Sequence, residues 1–224
     1  MLKDFLFLGG FYVNTSYLYL KAKSIYTGEP HICVTKDTPL CVEGFQRSGN
    51  GYCEAILKFK NEDLVITHHA HAFANVKKSA DWLIPIIVLI RNPIDCIASL
   101  ITFDERLSDD IAIRAYINYY SRVEKLLNKI LLVEFSELTN SPDQVIEKLN
   151  QKYSFKLNKL NFNEDEKVAY MKSKKENYDQ AILASPFPDE AKEIKTKKHR
   201  DRLRAQKRMA DALAVYSRLI ETIS

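Results

Sequence analysis

PLCVEGFQRSGNGYCEAIL, Pro39 to Leu57, is the stretch from which the rest of the chain is read. Leu40–Phe45 is a short apolar run, the mark of a buried strand. Gln46–Gly51 is a polar turn holding two glycines, and Tyr52–Leu57 reads as the opening turns of a helix. A strand that enters a helix through such a turn aims a row of backbone N–H groups, at the positive end of the helix dipole, at an anion.

Three more strand candidates follow: Leu64–Thr67 (LVIT), Pro85–Ile90 (PIIVLI) and Ile130–Phe135 (ILLVEF). The second is continuously apolar, as in a strand covered on both faces. Between them lie helical patterns. Phe73–Trp82 is one, with Lys77 and Lys78 outside; Ile94–Ile101 is another, with Pro93 at its start. Ser108–Lys129 reads as a long helix with Ser108 as N-cap and Asp109 and Asp110 in its first turn. Its apolar side is imperfect, running through Ile111, Ala115, Asn118, Arg122 and Leu126. Ser141-Pro142-Asp143 opens a helix whose apolar face is Val145, Ile146 and Leu149. Lys156–Lys175 reads as a loop and a surface helix, Ser185–Pro188 as a break, and Thr196–Ile223 as one long helix. Strands alternating with helices predict βαβ units, hence a three-layer α/β/α sandwich on a mainly parallel sheet of four or five strands.

The 224 residues are 46% hydrophobic and 28% charged, which suits a single domain. On that reading residues 1–38 are an N-terminal segment packed on the domain, and residues 189–224 a basic, then amphipathic, C-terminal helix. Cys33, Cys41, Cys53 and Cys96 form no C-x-x-C pair, so free thiols in a reducing, cytoplasmic setting are expected. The net charge of +4 is uneven: nine Lys or Arg stand between Lys192 and Arg208 against two acids, Glu193 and Asp201. That concentration suggests a polyanionic ligand or partner. Leu2–Leu20 is interrupted by Asn14, Thr15 and Ser16 and is too polar for a spanning helix. Packing on the domain is the favoured reading for it, and peripheral membrane contact the alternative.

Ile87–Ile101, IVLIRNPIDCIASLI, is the second informative stretch. Arg91 ends a buried strand, where ligands bind in open α/β sheets. Ser99 follows eight residues later, so a guanidinium fork and a hydroxyl are available to one phosphate. The bland alternative is that Arg91 pairs with Asp95 and Ser99 merely packs. In the first stretch Gly44 and Gly49 are spaced as in G-x-x-x-x-G-K-[ST], but Asn50 replaces the Lys and Gly51 the Ser or Thr. Such a loop suits a phosphate and suits Mg·ATP hydrolysis poorly.

Together the two stretches resemble the sulfotransferases that use 3'-phosphoadenosine-5'-phosphosulfate, whose fold is P-loop NTPase-like. Gln46-Arg47-Ser48-Gly49-Asn50-Gly51-Tyr52 resembles the family's P-[KR]-S-G-T-T-W loop, which holds the 5'-phosphosulfate. Arg91-Asn92-Pro93-Ile94-Asp95-Cys96-Ile97-Ala98-Ser99 matches R-N-P-x-D-x-x-x-S, which holds the 3'-phosphate. Glu134–Leu138 with Ser141-Pro142 stands where the family has R-Y-E-D-L and D-P. The resemblance implies donor binding by Arg47, Ser48, Gly49, Asn50, Gly51, Tyr52, Arg91 and Ser99, with Arg47 also stabilising the leaving phosphate. It implies sulfation of a hydroxyl, or an amine, on a small molecule or carbohydrate, with no metal.

In Thr67-His68-His69-Ala70-His71, His68 stands where many members have the histidine of K-T-H-L-P, which makes it the expected general base. Strand alternation puts His69 on the opposite face and His71 in the loop beyond. A metal site on His69 and His71 lacks an evident third ligand. The family's R-K-G loop is absent, and Lys195–Arg208 is the basic stretch left for the 3'-phosphate. Two rival readings remain: a P-loop kinase, and a non-catalytic nucleotide- or nucleic-acid-binding module using Thr196–Arg208. Nucleic acid is the less favoured partner.

Overall fold

Four parallel strands lie side by side in the order β2–β1–β3–β4, with β1 Leu40–Gly44, β2 Ile66–Thr67, β3 Ile86–Ile90 and β4 Leu131–Glu134. This computed structural model describes residues 16–68, 70–161, 165–166, 169–170 and 190–223. The register pairs Cys41 with Thr67, Gly44 with Leu89 and Ile90 with Glu134. All four strands therefore end on one edge of the sheet, and the glycine turn, His68, Arg91 and Phe135 follow directly.

Helices cover both faces, giving the three-layer α/β/α sandwich. Chain order gives α1 Tyr17–Thr27, α2 Asn50–Lys58, α3 Phe73–Trp82, α4 Pro93–Phe103, α5 Asp109–Val123, α6 Phe135–Asn140, α7 Pro142–Tyr153, α8 Glu190–Arg204 and α9 Met209–Glu221. Strand alternation divides the core. Cys41, Phe45, Ile86, Val88 and Ile90 meet α3, α4, α5 and α9 on one face. Leu40, Val42, Ile87 and Leu89 meet Cys53, Ile56, Val145 and Leu149 on the other. All five β3 side chains are fully buried. At roughly 2 kcal/mol for each buried aliphatic side chain, this strand is the rigid base on which Arg91 stands.

Several boundaries follow the chemistry of single residues. Asn92 caps α4 by accepting from the Ile94 N–H at 3.0 Å, with Pro93 at the first helical position. Ser108 caps α5, and Asp109 and Asp110 face its positive end. The apolar side of α5 differs from the sequence reading. Ala115 is buried as read, but the residues buried with it are Ala112, Ile113, Tyr116, Tyr119, Tyr120 and Val123. Two of the three tyrosine hydroxyls are satisfied: Tyr120 donates to Leu89 O at 2.7 Å and Tyr116 to Arg91 O at 2.8 Å, whereas the buried Tyr119 hydroxyl has no partner among the described residues.

Three further expectations change. The last part of Ser108–Lys129 is a 3-10 turn, Glu124–Lys129. Phe135 opens the short α6 instead of closing β4. Thr196–Ile223 is two helices, broken at 205–208, where the Gln206 side chain donates to Asp109 at 3.3 Å and Arg208 pairs with Asp110. Leu203 and Met209, on either side of the break, are both buried. Ser185–Pro188 and half of Lys156–Lys175 lie outside the described residues, as do residues 1–15 of the N-terminal segment.

Candidate functional site

The glycine turn is shaped by contacts only glycine permits. Gly49 is the N-cap of α2 with φ +103°, and a Cβ there would lie 2.5 Å from the Phe135 ring. A Cβ on Gly44 would meet Leu89 O at 2.7 Å, so β1 can press against β3 at its last residue. The first regular helical bond of α2 runs from Cys53 N–H to Gly49 O at 2.9 Å, and no side chain caps the helix. The N–H groups of Asn50, Gly51 and Tyr52 stand ahead of that bond, at the positive end of a nine-residue helix.

The side chains of Ser48 and Asn50 face inward. Ser48 N–H donates to Phe45 O at 3.1 Å. Its hydroxyl lies 2.9 Å from the Tyr120 hydroxyl; since Tyr120 donates to Leu89 O, Ser48 is the donor in that pair. The Cys96 thiol adds a bond to Gln46 O at 3.1 Å. Asn50, 3% exposed, donates from Nδ2 to Gly44 O at 3.3 Å and lies 3.0 Å from His71 Nδ1. Its Oδ1 is buried with no hydrogen-bond partner among the described residues. Asn50 occupies the place of a phosphate-reaching lysine but braces the turn from behind. His71 Nδ1 lies 3.1 Å from Gly44 O in the same brace. Burial, aided by positive Arg47, lowers its pKa to about 4 against the opposing bond to Gly44 O, so the ring is neutral at pH 7.

Three of the sequence-predicted ligands converge across the turn. Arg47, in the left-handed region at φ 68°, donates from Nε to Ser99 Oγ at 3.1 Å. Arg91 donates from Nη1 to Arg47 O at 3.2 Å, and its guanidinium lies 4.6 Å above the Phe135 ring. Burial, together with the like charge of Arg91, lowers the Arg47 pKa, although an arginine stays charged. Among the described residues no carboxylate pairs with Arg91. Asp95 pairs with Arg200 at 3.3 Å instead, and Glu134 accepts from the Tyr216 hydroxyl. The bland Arg91–Asp95 pairing is therefore not the one formed. Two half-buried cations, one hydroxyl and an open helix start make a site that favours an anion.

The histidine after β2 has a partner that sequence spacing gave no reason to choose. His68, 8% exposed, places Nε2 3.1 Å from Glu54 Oε1, and its ring stacks on His31 at 5.4 Å. Glu54 sits on α2 and also binds Lys58 at 2.9 Å. Burial raises the Glu54 pKa, but the bonds to His68 and Lys58 outweigh it and hold it at about 2. His69 lies outside the described residues. Among the described residues no three His, Cys, Asp or Glu side chains gather as a metal-binding group.

The basic C-terminal stretch is partly neutralised. Five of its nine cations meet acids: Lys195 with Glu105, Arg200 with Asp95 and Glu193, Arg202 with Asp109, Arg204 with Asp201, and Arg208 with Asp110. α8 lies along α4, with Thr196 Oγ1 3.1 Å from Thr102 Oγ1. Among the described residues no helix is long and apolar enough to cross a membrane. No family model matches the chain, and no curated protein matches it.

Proposed function

We propose that this chain is a sulfotransferase, moving a sulfuryl group from 3'-phosphoadenosine-5'-phosphosulfate to a hydroxyl of a small molecule or carbohydrate. The carrying observation is the meeting of the two motif stretches: Arg47 from the glycine turn bonds Ser99 at 3.1 Å, and Arg91 bonds the Arg47 carbonyl at 3.2 Å. The residues fit a nucleotide carrying two separate phosphates. The Phe135 ring fills the space beside Gly49, so only glycine fits the turn there, and the helix start presents the N–H groups of Asn50 and Gly51 for the 5' end. Arg91 and Ser99 hold the 3'-phosphate. When bound, the donor supplies the sulfuryl group.

The chain's own work is then binding, charge placement and proton handling. Arg47 and the helix-start N–H groups stabilise negative charge building on the leaving 5'-phosphate. Glu54 holds His68 Nε2 at 3.1 Å and fixes the ring's orientation, so the acceptor's proton goes to Nδ1, a buried nitrogen whose cover the acceptor must displace. Tyr120 and Cys96 hold the turn from behind, so the donors keep their aim without reorganising.

The kinase reading draws less support, because Asn50 is turned onto Gly44 O and away from any β/γ-phosphate. The nucleic-acid reading draws less because the C-terminal cations face the acids of this same chain. The test is transfer of label from sulfuryl-labelled donor to a panel of hydroxyl acceptors. Acceptor-dependent release of adenosine 3',5'-bisphosphate, lost in Arg47→Ala, is expected. Nucleotide binding with no sulfated product from any acceptor would move the chain to the non-catalytic class.

A further inference from the structure

We propose that α1, Tyr17–Thr27, docks this chain on an anionic membrane surface, lying in the interface and not across it. The helix has an inner and an outer side. On the inner side Leu20 is buried, the Tyr17 hydroxyl donates to Val34 O at 2.8 Å, and the Tyr17 ring meets Trp82 edge-on at 5.5 Å. The outer side is apolar and open to solvent, with Leu18 76%, Ile25 75% and Tyr26 91% exposed. Leu18, Ala22 and Ile25 are spaced four and three apart and share one stripe; Lys23 and Tyr26 lie beside it. So many large apolar side chains on eleven residues exceed the scatter of single exposed hydrophobics on an ordinary surface.

The charges select the occupant. α1 carries Lys21 and Lys23 and no acid, and both lysines are exposed. Lys78 adds a third cation beside it, over the Tyr17 and Trp82 rings at 5.2 Å. An interfacial helix needs this composition: aliphatic side chains reach the acyl boundary, tyrosines sit at headgroup depth, and lysines extend to anionic headgroups. A second copy docked two-fold on the same face would bring Lys21 and Lys23 against the same lysines.

The test is co-sedimentation of the full chain with vesicles of phosphatidylcholine, alone or mixed with phosphatidylserine. Binding to the mixed vesicles is expected, weakening toward the neutral level in about 1 M salt, where the screening length shrinks to about 3 Å. Leu18→Asp with Ile25→Asp should lower the partition at least about tenfold, since each side chain loses most of a buried aliphatic's transfer energy. Lys21→Glu with Lys23→Glu should lower it on mixed vesicles by at least about fivefold per lysine and leave neutral vesicles unchanged. Thermal melts of both variants should match wild type because all four side chains are exposed. Should the aspartate variant fail to fold, the lysine variant decides. No binding of wild type to mixed vesicles, or equal binding by a folded variant, overturns the proposal. So does a wild-type dimer in sedimentation velocity that the aspartates dissociate.

Discussion

Replacing Gly49 with alanine should cost far more than one methyl group. Gly49 has φ +103°, and an L-residue in left-handed space costs about 1–2 kcal/mol. The added Cβ would stand 2.5 and 2.6 Å from two Phe135 ring atoms. Carbon atoms rest at about 3.5–4.0 Å, so the ring must retreat by roughly 1 Å. That ring also carries Arg91 on its face at 4.6 Å and Tyr52 at 6.1 Å, edge-on. Weakening those two contacts adds about 1–2 kcal/mol. The expected total is about 2–4 kcal/mol, read from urea unfolding followed by the single tryptophan, Trp82. A double-mutant cycle with Phe135→Ala separates the parts. Without the ring, Gly49→Ala should retain only its backbone cost, leaving a coupling of about 1–2 kcal/mol. Equal cost in both backgrounds would refute the clash as the reason for glycine.

Arg91→Ala should lose about 2–4 kcal/mol of adenosine 3',5'-bisphosphate binding and leave 5'-AMP nearly unchanged; equal losses in parallel titrations would remove Arg91 from the 3'-phosphate. His68→Ala should keep bisphosphate affinity and lose turnover by roughly 10²–10⁴. Glu54→Gln should also lower turnover, and the double variant should be little worse than His68→Ala, whereas multiplicative losses would mean the two act separately. Burial pushes the Glu43 carboxyl up to about 8 from its ordinary 4.5, despite the Asn75 amide at 2.8 Å. The native state therefore keeps that proton after the unfolded chain has lost it. Its contribution is complete below pH 4.5, declines as pH rises toward about 8, and is constant above. Glu43→Gln should therefore gain on wild type as pH rises through that window, by up to about 1.4 kcal/mol per unit; a pH-independent difference would show that Glu43 does not titrate there.

The sheet was legible because its signals are local. Val88 and Leu89 announce a strand buried on both faces, Pro93 and Ser108 mark helix starts, and Arg91 and Ser99 share one helix entry. What escaped reading depends on long-range contact. Nothing in the spacing ties Glu54 to His68 or lays Phe135 over Gly49. Asn50 reads as an outward donor, yet the space behind Gly44 takes its side chain inward. The break at 205–208 contains neither glycine nor proline; ion pairs to the N-terminus of α5 accompany it. The basic run from Lys192 to Arg208 suggests a polyanion until its acidic counterparts, Glu105, Asp109 and Asp110, are seen opposite.

The central claim is that this chain holds a nucleotide with two separated phosphates, and calorimetric titration with adenosine 3',5'-bisphosphate against 5'-AMP tests it most directly. The account predicts a 1:1 complex in which the 3'-phosphate adds about 2–4 kcal/mol, with affinity unchanged by a chelator. Equal affinity for the two nucleotides, or binding that requires Mg²⁺, would contradict it.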